Sequence, residues 1–183
     1  MRTIALIHGG GYSSSCWDRV TPLLEGDVLL VELPGRGRRP ADLVEPPELA
    51  ALFARKSMRL HGFLRDQRSI AGLGRRLANE VCHRAKLSPF AKTGKLGLDG
   101  ATKVVAAIRE SVAEGLAYER TRDDMSASKD RPGCVHGRAG EDCPVCGDTV
   151  RAVEYSGYTV NYCPTCQTGG KVLADNTTSK FLK

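Results

Sequence analysis

The chain has 183 residues and a formal net charge of +6, enough for one or two domains with a modest core. No apolar run approaches the roughly 20 residues that a membrane span requires, and the short apolar opening IALIHGGG lacks the charged start and long core of a secretion signal. The charge is uneven: residues 1–44 carry five basic and five acidic side chains, residues 45–183 twenty-two and sixteen, which fits either a polyanionic partner or plain solubilising surface.

In chain order, TIALIH (3–8) reads as a short buried strand entering the Gly/Ser-rich turn HGGGYSSS. CWDRVTPLLEG has helical apolar spacing through Trp17, Val20, Leu23 and Leu24, and DVLLVELPGRGRRP is a second apolar strand closed by a Pro/Gly turn. Strand, loop, helix, strand is an α/β unit. The composition changes around ADLVEPPE, where Pro46 and Pro47 suit the first turn of a helix. From there Leu49, Leu52, Phe53, Leu60, Phe63 and Leu64 share one helical face. A turn at Gly72 and Gly74 precedes a helix carrying Leu77 and Val81. After a loop with Pro89, Gly94, Gly97 and Gly100, a longer helix is marked by Val104, Val105, Ile108, Val112 and Leu116. Residues 121–142 read as a polar loop, and strands over Thr149–Glu154 and Tyr158–Tyr162 are expected to turn at Ser156-Gly157.

That hairpin lies between two CxxC pairs, Cys143/Cys146 and Cys163/Cys166. Each pair lets two thiolates reach one tetrahedral ion, and a closed Cys₄ set leaves no open position, so one structural Zn²⁺ is the expectation. An iron–sulfur cluster or a redox dithiol uses the same residue types. Such cysteine usage places the chain in a reducing compartment, hence the cytoplasm, nucleoid-associated if bound to DNA. Cys16, Cys82 and Cys134 read as buried or incidental thiols, with Cys134 near enough to the knuckles to be a spare ligand; Trp17 reads as core.

QRSIAGLGRRLANE (67–80) places glycines before a helix, where backbone amides and the helix N-terminus can meet an anion, with Arg75 and Arg76 beside them. Taken alone, GLG also fits a plain helix–helix turn. Together, IAGLGRRLANE, a long helix, VHGRAGEDCPVCG and a terminal YCPTCQ resemble the formamidopyrimidine-DNA glycosylase and endonuclease VIII family. The likeness is to that family's C-terminal half, a helix-two-turn-helix domain followed by a zinc finger. It implies a grip on damaged duplex DNA whose lesion is flipped out of the stack. It further implies DNA contacts from Gly72, Gly74, Arg75, Arg138 and Tyr158, with His136 as a packing or backbone-contact residue.

Three departures stand out. Arg75 occupies the place of the family's phosphate-binding Asn, and Tyr158 the place of a finger Arg that meets the flipped nucleotide. The chain opens Met1-Arg2-Thr3, where the family has a Pro-Glu whose secondary amine attacks the sugar. Residues 1–43 instead resemble the start of an α/β-hydrolase, with an HGGG oxyanion loop and a LPGRG turn, but the nucleophile elbow GxSxG is absent. His8 and Ser13 to Ser15 are therefore read as a loop without a triad.

The expected fold is mainly α with a small β-hairpin zinc finger, a helix-two-turn-helix domain preceded by a truncated α/β fragment. The domains are 1–44 (hydrolase-like fragment), 46–122 (helix-two-turn-helix) and 133–183 (Cys₄ finger and tail). The expected function is damaged-DNA binding linked to base-excision repair, without the N-terminal catalytic domain and with no catalytic residue assigned. A separate protein supplying that domain is a possible partner, and no membrane is involved. The alternatives are an active glycosylase and abasic-site lyase using another amine, such as Lys92 or Lys95, and an α/β-hydrolase.

Overall fold

The computed structural model describes residues 3–7, 17–25, 27–31, 44–122, 131–155 and 157–174. His8, Ser13 to Ser15, Cys16, Ser156 and the final TTSKFLK lie outside the described residues. The chain divides into two compact units, Met1–Val44 and Glu45–Lys183.

In the first unit, β1 (Thr3–Ile7) pairs in parallel with β2 (Asp27–Val31), Thr3 opposite Asp27 and Ile7 opposite Val31. A parallel pair needs a crossover connection. The expected helix over CWDRVTPLLEG is reduced to a turn and the 3₁₀ segment Thr21–Leu23. Pro22 lacks the amide hydrogen a longer helix would use, and Leu24 is already extended.

The second unit is mainly helical. Helix α1 (Pro46–Arg55) starts at a capping box in which the Glu45 side chain accepts from the backbone of Glu48, and the Glu48 side chain accepts from the Glu45 N–H. Leu49 and Phe53 fill its buried face. The apolar spacing that continues toward Leu64 predicts one helix, but the chain breaks at residues 56–59 and resumes as α2 (Leu60–Arg65). Thr93 explains the break. Its buried hydroxyl donates to Lys56 O (2.9 Å) and accepts from Met58 N–H (3.0 Å), and its N–H donates to Met58 O (2.9 Å). These bonds supply what helical continuation would have supplied, and the edge-on ring pair Phe53–Phe63 packs across the kink at 5.0 Å.

Helix α3 (Arg75–Arg84) follows the glycine turn, and α4 (Gly97–Arg120) follows the 3₁₀ segment Thr93–Lys95. Helix α4 packs against α1 and α3 through Gly100, Ala101, Val104, Val105, Ala107 and Ser111. Its buried face ends there: Val112 and Leu116, expected on the same face, are half exposed. The C-terminal part is an antiparallel hairpin, β3 (Arg151–Tyr155) on β4 (Tyr158–Tyr162), closed by the short helix α5 (Pro164–Thr168). Tyr162 is fully buried and its hydroxyl accepts from Leu173 N–H (2.8 Å), which holds the segment after α5 against the hairpin.

Candidate metal centre and nucleic-acid interface

The first knuckle is a tight turn in which Cys143 N–H donates to Asp148 O (2.8 Å) and Gly147 N–H donates to Cys143 O (2.8 Å). Gly147 sits at φ +76°, a left-handed conformation that a side chain would strain. In the second knuckle Cys163 caps α5 and Cys166 lies within it. Asp148 ties the two together: Oδ2 accepts from Thr165 N–H (3.0 Å) and Thr165 Oγ1 (2.9 Å), and Oδ1 accepts from Thr149 N–H (2.7 Å). The Thr165 donors hold this carboxyl below the usual carboxylate range.

The thiols converge. Cys143 Sγ lies 3.9 Å from Cys166 Sγ, and Cys146 Sγ lies 3.3 Å from Cys163 Sγ. A tetrahedral ion with zinc–sulfur bonds of about 2.3 Å separates its sulfurs by about 3.8 Å; the Cys143–Cys166 pair is at that spacing and the Cys146–Cys163 pair is closer. Burial pushes the Cys163 thiol up to about 11 and raises Cys166 as well, whereas a backbone bond at Asp148 lowers the exposed Cys146. Bound zinc would replace those protons and lock the two knuckles together. A fifth donor stands beside them: His83 Nε2 is 3.4 Å from Cys143 Sγ. The donor atoms of His83, Cys143, Cys163 and Cys166 all lie within 4.8 Å of one another.

Helix α3 carries the finger. Its buried Glu80 accepts three consecutive amides, Cys134 N–H at Oε2 (2.8 Å) with Val135 N–H (3.1 Å) and His136 N–H (2.8 Å) at Oε1. Gly133 makes room for this carboxylate, since a Cβ there would stand 2.8 Å from Glu80 Oε1. At the preceding residue, Asn79 Nδ2 donates to His136 Nδ1 (2.9 Å) and reaches Asn161 Oδ1 at 3.5 Å, which in turn accepts from Gly137 N–H (3.1 Å). Beyond α3, Leu87 O accepts from Gln167 Nε2 (3.0 Å), whose Oε1 accepts from Cys163 N–H (2.8 Å).

The glycine turn is braced by Gln67, which donates to Leu73 O (2.8 Å) and accepts from Gly72 N–H (2.9 Å). Gly72 is at φ +93°, so glycine is required there by conformation. Gly74 caps α3 in an extended conformation, and a Cβ at either glycine would meet nothing within 4 Å, which leaves the backbone open to approach. Gly74, Arg75, Arg76, Leu77, Arg131 and His136 line a cleft of about 250 Å³. Arg76 donates to the carbonyls of Arg131 (3.1 Å) and Pro132, and Arg131 pairs with Glu119 (2.6 Å). Burial, with the Arg76 and Arg75 charges, holds His136 below its ordinary value.

Tyr158 lies elsewhere, against α2. The Arg65 guanidinium sits 3.9 Å from its ring centroid, and His61 stacks on it with centroids 5.6 Å apart. His61 is fully buried, neither ring nitrogen has a hydrogen-bond partner among the described residues, and burial followed by the Arg65 charge lowers it to about 4. Arg138 is engaged locally, by Glu141 (2.8 Å), Gly133 O (3.2 Å) and Asp142 O (3.4 Å).

Of the residues singled out in the sequence, the four knuckle cysteines converge and Gly74 and Arg75 share one cleft; Tyr158 and Arg138 are held by other partners. Cys134 packs against the thiol cluster without joining the four-donor group, and Cys82 is a fully buried thiol raised by burial. The sequence reading passed over Glu80, Asn79, His83, His61, Arg65 and Asn161. A signal existed for His83, a metal-ligating residue type in the helix preceding the finger.

Known proteins match in the same places. The model of the zinc finger found in FPG and IleRS matches residues 140–169. A Mycobacterium tuberculosis protein, described as an uncharacterized formamidopyrimidine-DNA glycosylase-like protein, is 42% identical over 149 residues, covering 76% of this chain and 90% of that one. The chain belongs to the formamidopyrimidine-DNA glycosylase-like family. Among solved structures, MutM (FPG) from Thermus thermophilus superposes with a TM-score of 0.63 at 31% identity, over 73% of this chain and 54% of that one. A Lactococcus lactis FPG variant solved with Fapy-dG containing DNA shares the fold, with a TM-score of 0.59 at 22% identity over 68% of this chain and 48% of that one. The chain spans only 40–47% of the length of the formamidopyrimidine-DNA glycosylases it matches. A model of the alpha/beta hydrolase family matches residues 4–83. Residues 45–83 of that match belong to the second unit, in helices α1 to α3.

Proposed function

We propose that this family member is a zinc-dependent protein that grips damaged duplex DNA in base-excision repair, with its phosphate contacts centred on the start of α3. The observation that carries this reading is the cleft where Gly74, Arg75, Arg76, Arg131 and His136 meet. It combines open backbone amides, a helix N-terminus and arginines, the three elements that recognise a phosphate. Gly72 shapes the turn, and Arg75 is exposed at its exit. Tyr158 and Arg138 are the further contacts; the Arg65 stacked on Tyr158 brings a cation to the point where the finger itself has none. Cys143, Cys146, Cys163 and Cys166 hold the zinc, which supplies the closure of both knuckles. No residue of this chain is assigned a catalytic role. The chain contributes the clamp, and the sugar chemistry belongs to a catalytic domain of the kind found in the longer relatives. Among the described residues no helix is long and apolar enough to cross a membrane.

The test is duplex binding by fluorescence anisotropy on an abasic-site oligonucleotide, across salt concentrations. With about three phosphates contacted, log K falls against log[salt] with a slope of about −3. Arg75→Ala weakens binding and reduces the slope by about 1, and chelation abolishes binding. Salt-independent or absent binding by the zinc-loaded chain refutes the clamp. A covalent adduct trapped by borohydride on the same DNA would show that the chain itself carries the lyase amine.

A further inference from the structure

The two knuckles supply four thiols, yet the metal centre contains five donors. His83, on α3, lies outside both CxxC motifs, and its Nε2 is 3.4 Å from Cys143 Sγ. In a tetrahedral zinc site with bonds of about 2.05 Å to nitrogen and 2.3 Å to sulfur, that edge measures about 3.5 Å. His83, Cys143, Cys163 and Cys166 by themselves form a four-donor group within 4.8 Å. That group leaves out Cys146, while the all-cysteine set of the two knuckles leaves out His83, so two candidate sets share three thiols and differ in one vertex.

The two competitors for that vertex are unlike. Cys146 is exposed on the turn before Gly147, where it can be oxidised, alkylated or swung outward. His83 is 4% exposed in the last turn of α3, a helix fixed to the finger approach by Glu80 and Asn79. A thiolate is the softer and more charged ligand, so the four cysteines form the resting set. In that state His83 is an N–H donor to the Cys143 sulfur, a polar contact that orients the ligand from outside the coordination sphere.

We propose that His83 is a reserve zinc ligand, which takes the fourth position through Nε2 when Cys146 is lost and so keeps the metal in place. The exchange moves no net proton at His83. Its hydrogen passes from Nε2 to Nδ1, and the Nε2 lone pair fills the vertex that the Cys146 thiolate leaves. The consequence is a knuckle that tolerates damage at its one exposed thiol while α3 retains the finger. The inference concerns the metal centre alone and holds whether or not the chain binds DNA.

The experiment measures zinc per chain by native mass spectrometry on the full-length protein, with the cobalt(II)-substituted spectrum as a second readout. Cys146→Ala keeps one zinc, and its cobalt spectrum loses one thiolate's share of sulfur-to-metal charge transfer while the ligand-field bands move to higher energy. His83→Phe keeps one zinc with an unchanged four-sulfur spectrum, which shows that the substitution is accommodated. The double variant holds none. A metal-free Cys146→Ala protein, a double variant that still binds zinc, or zinc loss in His83→Phe alone would each overturn the proposal.

Discussion

Helices α3 and α4 lie side by side in the second unit and bury opposite kinds of side chain. The α4 face is small and apolar through Gly100, Ala101, Val104, Val105 and Ala107, with Ser111 its one polar member. By contrast, α3 buries six residues in a row, Ala78 to His83, three of them polar or charged. Contacts of the first kind are non-directional and tolerate substitution of similar volume. Those of the second kind fix particular atoms: three amides on Glu80, two partners on Asn79, one sulfur beside His83. One helix holds the unit together, and the other decides where the finger sits.

The difference can be broken from the finger side first. Removing zinc with a chelator, or substituting Cys163→Ser, should eliminate on the order of 10 kcal/mol of metal-linked folding energy and unfold the hairpin. The α1–α4 packing remains, so far-UV circular dichroism should retain most of its helical signal while hairpin amides lose protection in hydrogen exchange. Next, Glu80→Ala strands three amides at the docking seam and should cost about 4 kcal/mol by urea denaturation, because a buried charged acceptor has been removed from its donors. Undocking should show as exchange at residues 134–136.

Acidification tests the polar side again. Folded His61 titrates at about 4, against an ordinary 6.5, so the unfolded chain takes up its proton first. Stability is full above about pH 6.5 and drains as the pH falls toward 4, by about 3 kcal/mol in total from this group. Replacing His61→Phe should flatten the profile across that window relative to the parent; an identical pH dependence in both would remove His61 from the account. On the apolar helix, Val104→Ala should cost about 2 kcal/mol with zinc content unchanged. Smallest of all, Leu116→Lys, on a half-exposed position of α4, should stay within about 0.5 kcal/mol of the parent.

The same contrast explains what could be read in advance. Helix α4 announces itself through Val104, Val105 and Ile108, and the knuckles through their spacing, because apolar periodicity and thiol pairs are local signals. The glycine turn and its arginines were legible for the same reason. Helix α3 was legible as a helix but not as a hub. When neighbours cover a helix on several sides, burial loses its 3.6-residue rhythm, and nothing in the pattern singles out Asn79, Glu80 and His83. Their partners lie 54 to 82 residues onward in sequence, and no single-chain pattern records such pairings. The kink at residues 56–59 escaped likewise, since Thr93, 35 and 37 residues onward, supplies the bonds that end α1. The extent of α4's apolar face was over-read because periodicity states which residues align, not how far the neighbouring helices reach.

The Glu80 clamp also sets an order of assembly. Its three amides lie 54 to 56 residues away along the chain, whereas the sulfur pairs within the finger are separated by 17 and 23. Shorter loops close at lower entropic cost, so a refolding chain given zinc completes the finger as a self-contained bead before the bead meets α3. In stopped-flow refolding, thiolate–metal absorbance from cobalt should therefore rise ahead of the amide protection at residues 134–136, with docking as the slower step.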